Sequence, residues 1–344
     1  MKKVFLLALA VIMVFGLVAC SSNSAATKSA EEQSAAAVSE STGVEPSESA
    51  AVESSASTDV GAGKTIAFVP KQLGNPYFVA VKDAIEEMAT ANGFEFKCNA
   101  PDSSIEVDKQ VGICEAFIAE GVDYLVIIPN DATALVGVIN SAAEKNIPVF
   151  LVDSGADESN YISYIGTDNY AGGCLAAKWF GENIKGQVAI IDGAAGNAAT
   201  TARFKGFTDT IKDYPDIEVV TSDYGNGDMG TSMTVAENFL TAYPDLVAMF
   251  CCDDQMAQGA GQAVQAQDKS DSIFVCGFDG SPDGAQAIID GVMDASVAQQ
   301  PRLMGKTAVE YIIKYMNGEK IEPVINTDCE MVTAENAESF LQWH

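Results

Sequence analysis

The chain has 344 residues, with 48 acidic side chains against 19 basic ones and a formal net charge of −29. So acidic a surface excludes nucleic acid and anionic lipid headgroups as electrostatic partners and reads as colloidal repulsion in solution. The single histidine is His344, the last residue, which excludes histidine-based activation of a nucleophile within the body of the chain.

Met1, Lys2 and Lys3 form a short basic start, and residues 4–18 are apolar and uncharged. With Leu17-Val18-Ala19-Cys20 closing the run, this is the layout of a secretory signal over residues 1–19, and the run is short for a membrane span. Leu17-Val18-Ala19-Cys20 also resembles the bacterial lipobox, so Cys20 is expected to be lipidated and to hold the protein at an extracytoplasmic membrane surface. Residues 20–63 follow as a tether. Residues 21–63 contain twelve Ser and ten Ala with no aromatic residue, too little apolar surface to offset the entropy of ordering.

From Lys64 onward 281 residues remain, with 41 acids and 16 bases, enough chain for two lobes. Beyond Cys20 there are seven cysteines: Cys98, Cys114, Cys174, Cys251, Cys252, Cys276 and Cys329. Their odd number and the lack of a Cys-x-x-Cys pair argue against a disulfide framework or a zinc site, and most sit in apolar runs as small hydrophobes.

Strands are predicted at 65–69, 94–98, 124–128 and 148–152, separated by helices at 76–92, 107–120 and 132–145. The pattern then repeats. Helices are predicted at 172–183, 198–214, 233–242, 254–267 and 283–291, with strands at 187–191, 217–220, 246–251 and 273–278. Near-continuous apolar strands alternating with helices predict parallel sheets covered on both faces, in two similar doubly wound halves. Ligands bind such sheets beyond the carboxyl ends of the strands. Lys71, Asn75, Tyr77, Phe78, Asn130, Asp131, Asp153, Ser154, Asp253, Asp254, Phe278, Asp279 and Gln299 fall there. Carboxylates and amides suit paired hydroxyls, and aromatic rings suit the C–H faces of a sugar ring. Asp131 reads equally well as a helix N-cap, and Asp254 reads better as one.

Lys71-Gln72-Leu73-Gly74-Asn75-Pro76-Tyr77-Phe78 resembles the opening of the ribose/galactose type of periplasmic sugar-binding proteins. So do Val152-Asp153, Gly166-Thr167-Asp168-Asn169, Gly193-Ala194-Ala195-Gly196 with Arg203, Gly206 and Phe207, Asp253-Asp254-Gln255-Met256-Ala257, Gly277-Phe278-Asp279-Gly280 and Ala298-Gln299. They run in family order across residues 64–330. The resemblance implies a type I periplasmic-binding-protein fold, two α/β Rossmann-like lobes of doubly wound parallel sheet joined by a three-segment hinge. The first lobe is then 64–167 plus 300–328 and the second 168–299 plus 329–344. Hinge closure around a small sugar or polyol creates the shape that the permease and ATPase of an ABC importer read.

Carried over by position, the resemblance gives Asn75, Tyr77, Phe78, Asp153, Phe278, Asp279 and Gln299 as sugar contacts, with Phe78 and Phe278 sandwiching the ring. Asp253 stands where ribose binders have Asn. Ser154 stands where they have an arginine, and Thr201 about where they have a second, with Arg203 two residues on. Gly227 falls near an expected aromatic stacker, with Tyr224 as substitute, and Ile128 replaces a polar residue, with Asn130 nearby. Lys71 restores positive charge; a lysine there also resembles binders of rhamnose and of autoinducer-2. The expected ligand is a pentose, hexose, deoxysugar, polyol or signalling furanose, bound by a monomer without metal or cofactor.

Other functions fit less well. No Gly-x-Ser-x-Gly elbow or Gly-x-x-x-x-Gly-Lys loop is present, and two cleft carboxylates such as Asp153 and Asp279 are the feature suggesting glycoside hydrolysis. An enzyme is not expected. A transcription regulator would need a basic headpiece where this chain has a signal and an acidic tether. A subunit presenting ligand to a membrane receptor keeps the fold and changes only the output.

Overall fold

The computed structural model describes residues 59–343. The expected signal, Cys20, His344 and the tether up to residue 58 lie outside the described residues. The tether was expected to run to residue 63, yet residues 59–63 are a hydrogen-bonded turn of the body: Gly61 N donates to Asn92 O at 2.8 Å.

The chain runs β1 (Thr65–Val69), α1 (Pro76–Ala91), β2 (Glu95–Cys98), α2 (Val107–Glu120), β3 (Tyr124–Ile127), α3 (Val136–Glu144), β4 (Val149–Val152) and β5 (Ser163–Thr167). It continues α4 (Asn169–Asn183), β6 (Gly186–Asp192), α5 (Ala198–Thr210), β7 (Ile217–Tyr224), α6 (Met229–Ala242), β8 (Leu246–Cys251), α7 (Asp254–Ala266), β9 (Phe274–Asp279), α8 (Pro282–Ile289) and β10 (Ala295–Ala298). It closes with α9 (Pro301–Met316), β11 (Val324–Thr327) and β12 (Glu330–Thr333).

Among the described residues these strands make two six-stranded sheets, ordered β11-β5-β4-β3-β1-β2 and β12-β10-β9-β8-β6-β7. Both share the order 2-1-3-4-5 of a doubly wound sheet. The sixth strand differs: β11 joins β5 in parallel, whereas β12 joins β10 antiparallel. The chain passes between the sheets after β5, after β10 and after β11, and Thr167 and Thr327 hold two of these passages together, Oγ1 to Oγ1 at 3.4 Å.

Strand periodicity sets the cores. In the first sheet Ile66, Phe68, Val126 and Phe150 face one layer, and Ala67, Val69, Leu125 and Leu151 the other. Both faces are buried, which is why the strands read as unbroken apolar runs. The second sheet centres on Phe180, Phe207 and Phe250, the last two stacked at 4.6 Å. The seven cysteines here are free thiols, four of them buried. The chain end departs from the second lobe: after β12, Trp343 seats against the first-lobe cluster, 5.8 Å from the Tyr77 ring.

Helix starts moved where a cap outranked periodicity. Asp168 accepts from Ala171 N and Asp228 from Thr231 N, so α4 and α6 begin earlier than expected. The helix expected from 132 starts at Val136 instead, because Asp131 Oδ1 accepts from Thr133 N and Ala134 N and ties 131–135 into a turn. Asp253, not Asp254, caps α7, accepting from Met256 N at 2.7 Å.

Helices α4 and α5 meet at two glycines. A Cβ on Gly173 would lie 2.1 Å from Arg203 O, and one on Gly206 2.1 Å from Tyr170 O. Gly173→Ala is therefore expected to lower unfolding free energy by about 1–3 kcal/mol in urea titrations. Gly112→Ala, inside α2 with no atom within 4 Å of the added Cβ, is expected to raise it by about 0.5–1 kcal/mol.

Candidate functional site

The carboxyl ends of β1, β4, β8 and β9 deliver Lys71, Asp153, Asp253 and Asp279 to one cavity between the lobes. Helix α1 adds Tyr77 and Phe78, and α5 adds Arg203. The cavity measures about 30 Å³. An apolar cavity of about 150 Å³ holds a benzene ring, so a ring-sized molecule finds room here only when the lobes part.

Two cations organise the charges. Lys71 Nζ lies 3.2 Å from Asp153 Oδ2, donates to Ser154 Oγ at 2.5 Å and sits 5.6 Å from the Phe78 ring centre. Arg203 spans the lobes. Its Nε donates to Asn169 Oδ1 and its Nη1 to Cys252 O, both at 2.8 Å. Nη1 also stands 3.5 Å from Asp279 Oδ1, and Nη2 stands 4.0 Å from Asp153 Oδ1. Gln299 Nε2 donates to the same Asp279 oxygen at 2.7 Å.

These groups are almost wholly buried, with Asp153 2% and Arg203 3% exposed. Burial would raise the Asp153 pKa, but Lys71 and Arg203 outweigh it and hold the carboxyl below its ordinary value. Burial pushes Asp279 well above the usual carboxylate range despite Arg203, and raises Asp253. It also lowers Lys71 in spite of Asp153. Backbone strain marks the same carboxylates: Asp153 has φ 62° and Asp279 φ 125°, values that L-residues rarely adopt.

The expected residues divide. Lys71, Asn75, Tyr77, Phe78, Asp153, Arg203, Asp253 and Asp279 line the cavity. Ser154 and Gln299 stand behind them, bonded to Lys71 and Asp279. Asn130 is 1% exposed, and neither of its side-chain polar atoms has a partner; Gln299 Oε1 lacks one too. Phe278 is a correction. It is fully buried, and the Arg203 guanidinium covers its ring at 3.9 Å, so it supports the arginine instead of facing a ligand. Tyr224 is about half exposed and does not line the cavity, whereas Gly227 does. Thr201 points outward and Ile128 is core.

Several lining residues escaped the sequence reading: Gln72, Ser104, Asn197, Thr200 and Asn226. Asn197 carried a usable signal, an amide just before a helix after a glycine loop; its side chain accepts from Ala199 N and Thr200 N. Ser104 and Asn226 lie in loops with no periodicity to point at them.

The chain matches the periplasmic binding protein domain family over residues 66–320. It is similar to the ribose import binding protein RbsB of Haemophilus influenzae, 35% identical over 281 residues that cover 80% of this chain and 94% of that protein. The D-allose-binding periplasmic protein of Escherichia coli is 30% identical, with 78% of this chain and 89% of that protein covered. Among solved structures, a carbohydrate transporter solute binding protein from Agrobacterium radiobacter in complex with D-arabinose superposes with a TM-score of 0.78. Its identity is 28%, with 81% of this chain and 99% of that one covered.

Below the cavity, Asp254 joins three elements. Its Oδ2 accepts from Ser281 N at 2.7 Å and Ser281 Oγ at 2.8 Å, and its Oδ1 from Ser296 Oγ at 2.5 Å. Burial pushes its pKa up to about 7. The folded chain then keeps a proton that the unfolded chain gives up in the ordinary carboxylate range, so stability falls as pH rises towards 7 and levels off above it. Urea unfolding between about pH 5 and about pH 8 should show this decline, and Asp254→Asn should make it shallower. An unchanged slope in the variant would assign the decline to other groups.

Proposed function

The chain belongs to the periplasmic binding protein domain family, and from that premise we propose that it captures a small sugar or polyol between its lobes and delivers it to an ABC importer. The observation that carries this reading is the cavity itself. Strained carboxylates from two lobes, Asp153 and Asp279, flank one arginine, with Tyr77 and Phe78 as an aromatic wall. Carboxyl and amide oxygens accept from vicinal hydroxyls, and guanidinium and amide N–H groups donate to them. Lys71 and Arg203 each already face a carboxylate, which favours a neutral ligand over a sugar phosphate or sugar acid.

The chain's own residues perform the cycle. With the lobes apart, a ring lies on Phe78 and Tyr77 of the first lobe while Asp153 and Asn75 bond its hydroxyls. Closure then brings Arg203, Asp253 and Asp279 onto the remaining hydroxyls, with Gln299 holding Asp279. Asn130, which does not line the cavity, is a further candidate because its buried side-chain donor and acceptor have no protein partner. Binding makes and breaks no covalent bond. The Lys2-Lys3 start, apolar run and Cys20 support a lipid anchor at the extracytoplasmic face of the cell membrane, where a monomer meets its permease.

The test is a thermal-unfolding screen against pentoses, hexoses, deoxysugars, polyols and autoinducer-2, with amino acids and nucleosides as controls. A ligand at about 1,000 times its Kd adds about 4 kcal/mol and raises the midpoint by several degrees. Asp153→Ala and Phe78→Ala should each weaken that ligand by roughly thirtyfold or more. Phe278→Ala should act through Arg203 and lower the ligand-free midpoint as well. A flat response to every sugar, beside a shift with a nucleoside or an amino acid, overturns the sugar assignment.

A further inference from the structure

The turn that replaces the start of the expected 132–145 helix reaches across the cleft. Ala132 N donates to Gly196 O at 3.0 Å, a backbone hydrogen bond between the first lobe and the second. Beside it Ser154 Oγ lies 3.4 Å from Asn197 Oδ1. Gly196 has φ 84°, and a Cβ built on it would lie 1.9 Å from Asp131 Oδ2 and 2.8 Å from Asp131 Cγ. The lobes therefore meet at this point with no space for a side chain on the second-lobe partner.

The first-lobe partner is stiff. Asp131 Oδ1 is held by Thr133 N at 2.9 Å and Ala134 N at 2.7 Å. Thr133 Oγ1 donates to Asp157 Oδ2 at 2.6 Å, and Asp157 N donates to Ala132 O at 2.9 Å. With Oδ1 held in this way, the carboxylate swings aside to admit a methyl group only by giving up the turn. It also stands at the N-terminal end of α5, where the helix dipole favours negative charge. That helix carries Arg203, and Asn197 at its cap lines the cavity.

We propose that the Asp131–Ala132 turn and Gly196 form a closure latch, an interlobe contact that adds to ligand affinity without touching the ligand and that requires glycine at 196. The latch rests on the reading of the cleft as a ligand site. Neither of its sides belongs to the three chain passages between the sheets, so it is made when the lobes shut and lost when they part. Its bond is to backbone, so its strength does not depend on which hydroxyls a ligand presents. It raises the affinity of every ligand that permits full closure and gives nothing to one that props the lobes apart.

The test uses the full chain and Gly196→Ala, with Gly291→Ala as control. Gly291 has φ 70° in the same lobe, but no atom lies within 4 Å of its added Cβ, so that variant carries the backbone strain without the collision. For the sugar that most raises the wild-type midpoint, calorimetry should show Gly196→Ala binding roughly tenfold or more weakly and Gly291→Ala binding as wild type. Adding Asp131→Ser, which keeps one oxygen for the turn and removes the colliding one, should restore part of the loss. Hydrogen exchange at the Ala132 amide should be slowed by ligand in wild type and not in Gly196→Ala. Wild-type affinity and Ala132 protection in Gly196→Ala, or an equal loss in Gly291→Ala, would overturn the latch. If no sugar binds the wild type, the sugar reading falls and the latch is judged from the ligand-free chains. Slower Ala132 exchange in wild type than in Gly196→Ala then supports it, and equal exchange overturns it.

Discussion

Arg203 is the cation on which the cleft depends. Buried between Asp153 of one lobe and Asp279 of the other, it keeps two carboxylates from facing each other across a low-dielectric space. Removing one partner of such a buried set typically costs about 3–5 kcal/mol because the remaining charges are left uncompensated. Its planar fork is what makes the arrangement possible. One edge reaches Asn169, another reaches Cys252 O and Asp279, and the flat face rests on Phe278. A lysine has neither the fixed fork nor the face.

The position of that guanidinium follows from packing, not from the cleft. Helix α5 approaches α4 so closely that a Cβ on Gly173 would strike the Arg203 backbone itself. Asn169, on the first turn of α4, then meets Arg203 Nε. A pair of small residues in a helix crossing thus decides where a charge sits several bonds away. The strained backbone of Asp153 and Asp279 belongs to the same design, since both turn sharply at a strand end to aim a carboxylate inward.

Closure and charge are coupled here. The lobe that carries Lys71, Asp153 and the aromatic wall is balanced within itself, cation against carboxylate. The second lobe brings three buried carboxylates, Asp253, Asp254 and Asp279, against one arginine, and burial raises all three. That excess of acceptors suits Asp253 and Asp279 to take hydrogen bonds from hydroxyl groups, which is the pairing proposed above.

Apolar runs such as 124–128 and 148–152 were enough to establish parallel sheets, because both faces of these strands are buried and period-2 alternation vanishes into continuous hydrophobicity. Charged and amide residues just past those runs were enough to propose Lys71, Asp153, Asp253 and Asp279, since strand ends are where such folds expose polar chemistry. The short edge elements β11 and β12 left no comparable signal: four residues each, partly exposed, with pairing supplied from distant sequence. Local caps were missed where periodicity suggested another start, as at Asp168, Asp228 and Asp253. Side-chain direction was out of reach altogether. Phe278 reads as a stacking ring from its place before Asp279, yet the Arg203 guanidinium occupies its face, and Gly196 reads as loop until the opposite lobe is seen 1.9 Å from where its Cβ would be. Burial and alternation are properties of a segment and its neighbours along the chain; contact across a cleft is a property of two segments that only the closed fold brings together.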